Sequence, residues 1–216
     1  MSHHSVMKRQ ILILGSIVVT AVLAYYLTIR IMNNPSSNAS QSVVLSLSVE
    51  KVVKGAGAYS WDGYLVHLMA KNEGSSKAVL ITGLARSSGP TAFAIADAVT
   101  GQAMDSTAVG SRRGASASAE VSAEDFSTAT LAPGEEQEID VLHIRQDPEQ
   151  DQWGAWSANQ LWNNIIPSNG KILLSISGSY DPSETSCADY RRLFPENAAS
   201  LDCSKLTSPA LKLNLP

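Results

Sequence analysis

Residues that most often carry chemistry are scarce in this chain. Its 216 residues include two cysteines and four histidines, and the histidines (His3, His4, His67 and His143) are scattered. No H-E-x-x-H, C-x-x-C or G-x-S-x-G pattern occurs, so the sequence signals of zinc hydrolases, thiol oxidoreductases and serine hydrolases are missing. No cofactor motif is present either, and neither an enzyme nor a bound cofactor is expected. Acids are absent from residues 1–40, where Lys8, Arg9 and Arg30 are the only charges. All 20 acids and the other 13 bases lie downstream, a net charge of −7. A part that acidic, with no basic stripe or RNA-binding aromatic motif, argues against nucleic acid as a partner. With 44% apolar and 17% charged residues, the chain is not a disordered tail.

What is present begins with an uncharged run of 19 residues, Ile11 to Ile29. As a helix it would be about 28 Å long, close to a hydrocarbon core of ~30 Å. Lys8 and Arg9 precede it, which places the N-terminus in the cytoplasm and the rest outside. Tyr25 and Tyr26 stand near its outer end, where amphipathic rings prefer the interface. The rival reading is a cleaved signal peptide, because Val22-Leu23-Ala24 offers small residues at the positions a signal peptidase reads. The apolar run continues to Met32, which favours an uncleaved anchor. A pilin-like leader would need a small residue after a charge at the start of the run, and Lys8-Arg9-Gln10-Ile11 has none. The expected layout is a cytoplasmic stub over 1–10, a single membrane span over 11–32, a tether over 33–41 and an extracytoplasmic domain over 42–216. Asn38-Ala39-Ser40 in the tether matches the glycosylation acceptor pattern, so Asn38 is a candidate modification site.

After the tether the apolar period becomes two. Val43, Leu45, Leu47 and Val49 alternate with serines and predict a half-buried strand. Further strands are expected over Tyr64 to Ala70, Ala78 to Leu84, Phe93 to Val99, Glu138 to Arg145, Ile172 to Ile176 and Leu211 to Leu215. Asp97 falls on the apolar face of the fourth, which marks an edge or bulged strand. Residues 110–130, rich in serine and alanine, fit no pattern. Short strands at this spacing predict a mostly β fold, an antiparallel, immunoglobulin-like sandwich. One segment departs from it. Asp147-Pro148 reads as a helix start, and Ser157-Ala158-Asn159-Gln160 as a capping box before Leu161, Trp162, Ile165 and Ile166. One or two short helices are expected within 148–166, ending at Pro167 and Gly170.

The anchor, VVLSLSVEKV (43–52), KNEGSSKAVLITGL (71–84) and LAPGEEQEIDVL (131–142) together resemble archaeal single-span cell-surface proteins of the archaellum-stator and pilin-like groups. The resemblance implies a role in anchoring or assembly at the cell surface, with a protein partner there or self-assembly. It carries over no functional residue.

Five constellations remain to be weighed. Cys187 and Cys203 flank a stretch without strand alternation, and an exported domain favours a disulfide between them. Trp153, Trp156 and Trp162 lie within ten residues. They read as a helical lid on the core or as an interaction surface for sugars or a neighbouring subunit. His67 and His143, with Asp140 or Asp62, could hold zinc, but lone strand histidines are commonly hydrogen-bonded or solvent-facing. Ser48-Val49-Glu50-Lys51 spells S-x-x-K within a strand, where the serine and lysine cannot share a helical face. Asp181, Glu184, Asp189, Glu196 and Asp202 crowd the cysteines and read as a solvated loop without EF-hand spacing.

Overall fold

A computed structural model of the chain describes residues 42–216 except 56–57, 86–88, 109–120, 148, 151 and 166–170. The apolar run of residues 11–32 and Asn38 lie outside the described residues. Among those described, no helix is long and apolar enough to cross a membrane.

The described part is mostly β, with antiparallel sheets. Alternation builds the first sheet. In β1 (Val43–Val52), Val43 and Leu45 are buried while Val44 and Ser46 are exposed, as a strand with one wet face requires. β1 pairs with β2 (Gly63–Asn72), and β2 with β7 (Glu136–Asp147). β7 pairs with β8 (Gln152–Trp156), β8 with β9 (Gln160–Ile165), and β9 with the two-residue β5 (Thr107–Ala108). The order across this six-stranded sheet is β1-β2-β7-β8-β9-β5.

A second sheet centres on β10 (Ile172–Tyr180), with β4 (Thr91–Asp97) on one side. On its other side β11 (Leu206–Thr207) and β12 (Leu211–Leu215) pair with opposite ends of β10. Both sheets contribute to one core: Val43, Leu45, Val66, Leu68, Leu142 and Ile144 from the first, Phe93, Ile95, Leu174, Ile176, Leu213 and Leu215 from the second. Two sheets closing on one core fit a β-sandwich. Their approach is close at Gly178, where a Cβ would fall 2.4 Å from Leu68 Cδ1, so a larger residue would have to displace that leucine.

β3 (Ala78–Leu84) and β6 (Phe126–Leu131) form a separate ladder. Leu80 and Leu131 face the main core, whereas Val79 and Ile81 join Cys187, Tyr190 and Leu201 in a second cluster. Helix α1 (Glu184–Leu193) covers that cluster. Ser183 caps it through its Oγ, which accepts from Ser186 N–H at 3.0 Å, and Arg191 and Arg192 close its last turn, an arrangement that suits the helix dipole. A 3-10 turn, Pro195–Ser200, follows.

The expected helices over 148–166 are not what forms. That stretch makes the β8–β9 hairpin, and the reason is visible at its turn. Ser157 N–H donates to Gln160 O at 2.8 Å, and the Gln160 side chain accepts from Phe93 N–H, also at 2.8 Å. The Ser-x-x-Gln pattern therefore closes a turn and ties it to β4 instead of capping a helix. β7 offers a free edge to β8, and long-range pairing overrides the local signal. Register slips between Trp153 and Ala155, and Asn164 takes a left-handed backbone (φ 59°), which asparagine tolerates. Both distort the alternation that would have identified the strands.

Candidate functional site

The six-stranded sheet turns Val66 and Leu68 inward, so Leu65, His67 and Met69 belong to its outer face. Cross-strand register then assembles a row over four strands. Glu50 stands opposite Leu65, Leu65 opposite His143, and His143 opposite Trp156. The His143 imidazole stacks on Trp156, with centroids 5.2 Å apart and planes 29° from parallel. Trp61, from the β1–β2 connection, approaches both rings at 5.9 and 6.0 Å, and Tyr59 packs on Trp61 at 5.4 Å. All four rings are half-buried. Leu65 is only 3% exposed although it faces away from the core. Burial pushes the His143 imidazole below its ordinary range, and the Asp140 and Glu138 carboxylates pull it back.

The neighbouring row holds Ser48, His67 and Val141. His67 Nδ1 lies 2.5 Å from Glu138 Oε2, and Nε2 lies 3.6 Å from Glu50 Oε2. A serine beside a histidine–carboxylate pair suggests a nucleophile, but both ring nitrogens already face carboxylates. No ring nitrogen is placed to take a proton from Ser48, so general-base activation has no geometry here. Lys51 faces the opposite side of β1 from Ser48 by alternation, which disposes of the S-x-x-K pattern.

Asp140 belongs elsewhere. It stands opposite Leu68 on the inner face, where Oδ2 accepts from Thr91 Oγ1 at 2.8 Å and Oδ1 from Val141 N–H at 2.8 Å. Burial pushes its carboxyl above the ordinary range, and these two hydrogen bonds oppose the shift. Asn159 extends the link, donating to Thr91 and accepting from Gly89 N–H. Asp140 therefore ties the two sheets together and cannot join His143 as a ligand. Asp62 accepts from Lys54 N–H at 2.8 Å and closes the β1–β2 loop. Among the described residues no three His, Cys, Asp or Glu side chains converge on a metal-sized site.

The three tryptophans of the β8–β9 segment are divided by the pleat. Trp153 and Trp162, 5% and 2% exposed, sit in the main core. Trp156 points outward to the histidine. Trp61, which no motif or period flagged, completes the outer group. A cleft of about 420 Å³ beside Trp162 is lined by Asp97, Met104 and Asn164. Asp97 Oδ1 there accepts from Val99 and Thr100 N–H and serves its own turn.

No family model matches the chain, and no curated protein or solved structure is significantly similar to it.

The disulfide expected between Cys187 and Cys203 is present, with Cα atoms 6.4 Å apart. It joins α1 to the segment entering β11. The nearby acids are dispersed around it. Asp181 pairs with Lys205 at 2.8 Å, Asp189 with Arg192 at 3.3 Å, and Asp202 accepts from Ser204 N–H. These exposed pairs add little stability.

Proposed function

We propose that the chain is a membrane-anchored interaction protein whose β domain works outside the cytoplasm, docking to a surface layer, a filament or a membrane complex. The observation that carries this reading is a disulfide-bonded β domain preceded by an uncharged run, Ile11 to Ile29. A disulfide suits an exported compartment, and the run has the length and the flanking Lys8-Arg9 of a span with its N-terminus inside. The resemblance to archaeal single-span surface proteins points the same way. We read the two facing sheets as an immunoglobulin-like sandwich, a fold that hosts many binding roles and by itself implies none. An exported hydrolase has less support, because neither histidine faces a serine in an activating geometry.

A second reading rests on the half-buried group of Trp61, Trp156 and His143. Aromatic rings with carboxylates beside them suit an adhesive module that stacks on a ligand.

Cell fractionation tests the first reading. The full chain should resist carbonate extraction from membranes, and protease added outside intact cells should degrade the β domain and spare residues 1–10. A mature N-terminus at Tyr25 would show cleavage and a soluble product. Complete protection from external protease would reverse the orientation.

A further inference from the structure

β1 is the edge strand of the six-stranded sheet. β2 pairs with one side of it, and among the described residues no strand pairs with the other. One bond sets the direction of its backbone groups. Glu73 N–H donates to Ser42 O at 2.6 Å, and these two residues stand opposite each other when the β1–β2 register is continued. Even-numbered residues of β1 therefore bond to β2. Leu47, Val49 and Lys51, like the more buried Leu45, turn their N–H and C=O groups to the free edge, whereas Val43 at the strand start is fully covered. That edge is lightly guarded: ten residues without proline, in which Glu50 and Lys51 are the only charges. Among the described residues the exposed large apolar side chains are Val44, Val49, Val53 and Val99. The first three lie on β1 or directly after it.

We propose that this edge pairs antiparallel with the β1 edge of a second copy of the chain, with Ser48 on the two-fold axis. The strand's own sequence selects both the occupant and the register. A two-fold axis perpendicular to the sheet brings residues of the same face together. With Ser48 opposite Ser48, Val44 meets Val52 and Val49 meets Leu47, so both exposed valines within β1 gain an apolar neighbour. Glu50 meets Ser46 and Lys51 meets Leu45, so no like charges oppose. Registers centred on Glu50 or Lys51 set like charges against each other. One centred on Leu47 sets Glu50 against Val44 and Lys51 against Val43, and one centred on Val49 sets Val44 against Lys54. The pairing deepens the reading of an interaction protein by naming its partner, and it does not require the membrane anchor.

Cysteine cross-linking tests register and partner together. Ser48 bonds to β2, so across the new interface Ser48–Ser48 is a non-hydrogen-bonded pair with Cα atoms about 4.5 Å apart, within disulfide reach. Both native cysteines are already joined and the sequence has no others, so an added thiol reports cleanly. Full-length Ser48→Cys in detergent should become a covalent dimer on mild oxidation. Ser46→Cys and Glu50→Cys should each fail to cross-link alone but cross-link when mixed. Val49→Pro removes an N–H that points to the free edge and leaves the β2 ladder intact. It should weaken association at least tenfold in sedimentation with little change in melting temperature. A wild-type chain that is monomeric at every concentration, or Ser48→Cys cross-linking no faster than Glu50→Cys, overturns the pairing. Either result leaves membrane extraction and protease shaving unaffected, so it is distinguishable from failure of the anchor.

Discussion

Replacing Trp162 and Trp156 separately by alanine separates core from surface in the β8–β9 hairpin. Trp162 is 2% exposed, stands opposite Ala155 and belongs to the main core cluster. A buried aromatic of its size covers roughly 150–250 Å², which at about 25 cal/mol per Å² corresponds to ~4–6 kcal/mol. Alanine retains part of that burial, and neighbours relax partly into the cavity, so the expected loss is about 3–5 kcal/mol. For a domain of this size each kcal/mol lowers the melting temperature by roughly 2–4 °C, which predicts a fall on the order of 10 °C. Trp156 is half-buried on the outer face against His143 and Trp61, and its removal should cost about 1–2 kcal/mol, mostly ring contact. The assay is thermal unfolding of the full-length variants in detergent, followed by near-ultraviolet circular dichroism. A Trp162→Ala chain melting within about 3 °C of wild type would refute the burial argument. So would a Trp156→Ala chain that falls as far as Trp162→Ala.

Three further outcomes follow from the same geometry. Alkylating reagents should find no free thiol without reductant, and Cys187→Ser should lower stability by about 3 kcal/mol, since the bond closes a loop of 16 residues' separation; two freely labelled thiols in native protein would contradict this. Asp140→Asn should be more stable relative to wild type at pH 7 than at pH 4, whatever it loses at both from replacing one of the two accepting oxygens. The folded carboxyl titrates above its unfolded value of 3.8, so its contribution is favourable below that value and is lost as pH rises through the folded one. A variant less stable relative to wild type at pH 7 than at pH 4 would reverse that sign. Gly63→Ala should cost more than about 3 kcal/mol, because its Cβ would fall 2.0 Å from Ile144 O; a melting temperature near wild type would count against the β2–β7 spacing.

Where local pattern and tertiary pairing agree, the sequence was sufficient. The alternation in β1 and the leucines of β12 depend on burying one face of a strand, the apolar run of β3 on burying both, and they appear at Val43–Val52, Leu211–Leu215 and Ala78–Leu84. The Asn72-to-Ser76 turn was legible too, because Asn72 closes it locally by accepting from Gly74 N–H and donating to Ser76 O. The pairing of Cys187 with Cys203 followed from there being two cysteines and a domain read as exported. The helix that holds Cys187 carried a signal that could have revealed it: Ser183 and Glu184 at one end, Arg191 and Arg192 at the other.

Tertiary structure decided the rest, wherever one short motif serves two conformations. Ser157-x-x-Gln160 caps a helix or closes a hairpin with equal local logic, and the waiting edge of β7 and the Phe93 N–H settled it. Trp61 lies in a connection with no period, so only folding could bring it against His143 and Trp156. Asp140 and His143, three apart on β7, point to opposite faces because a strand alternates and sheets have two sides. Apolar alternation determined that this chain would bury a β core; cross-strand register, which no local window contains, determined which side chains meet.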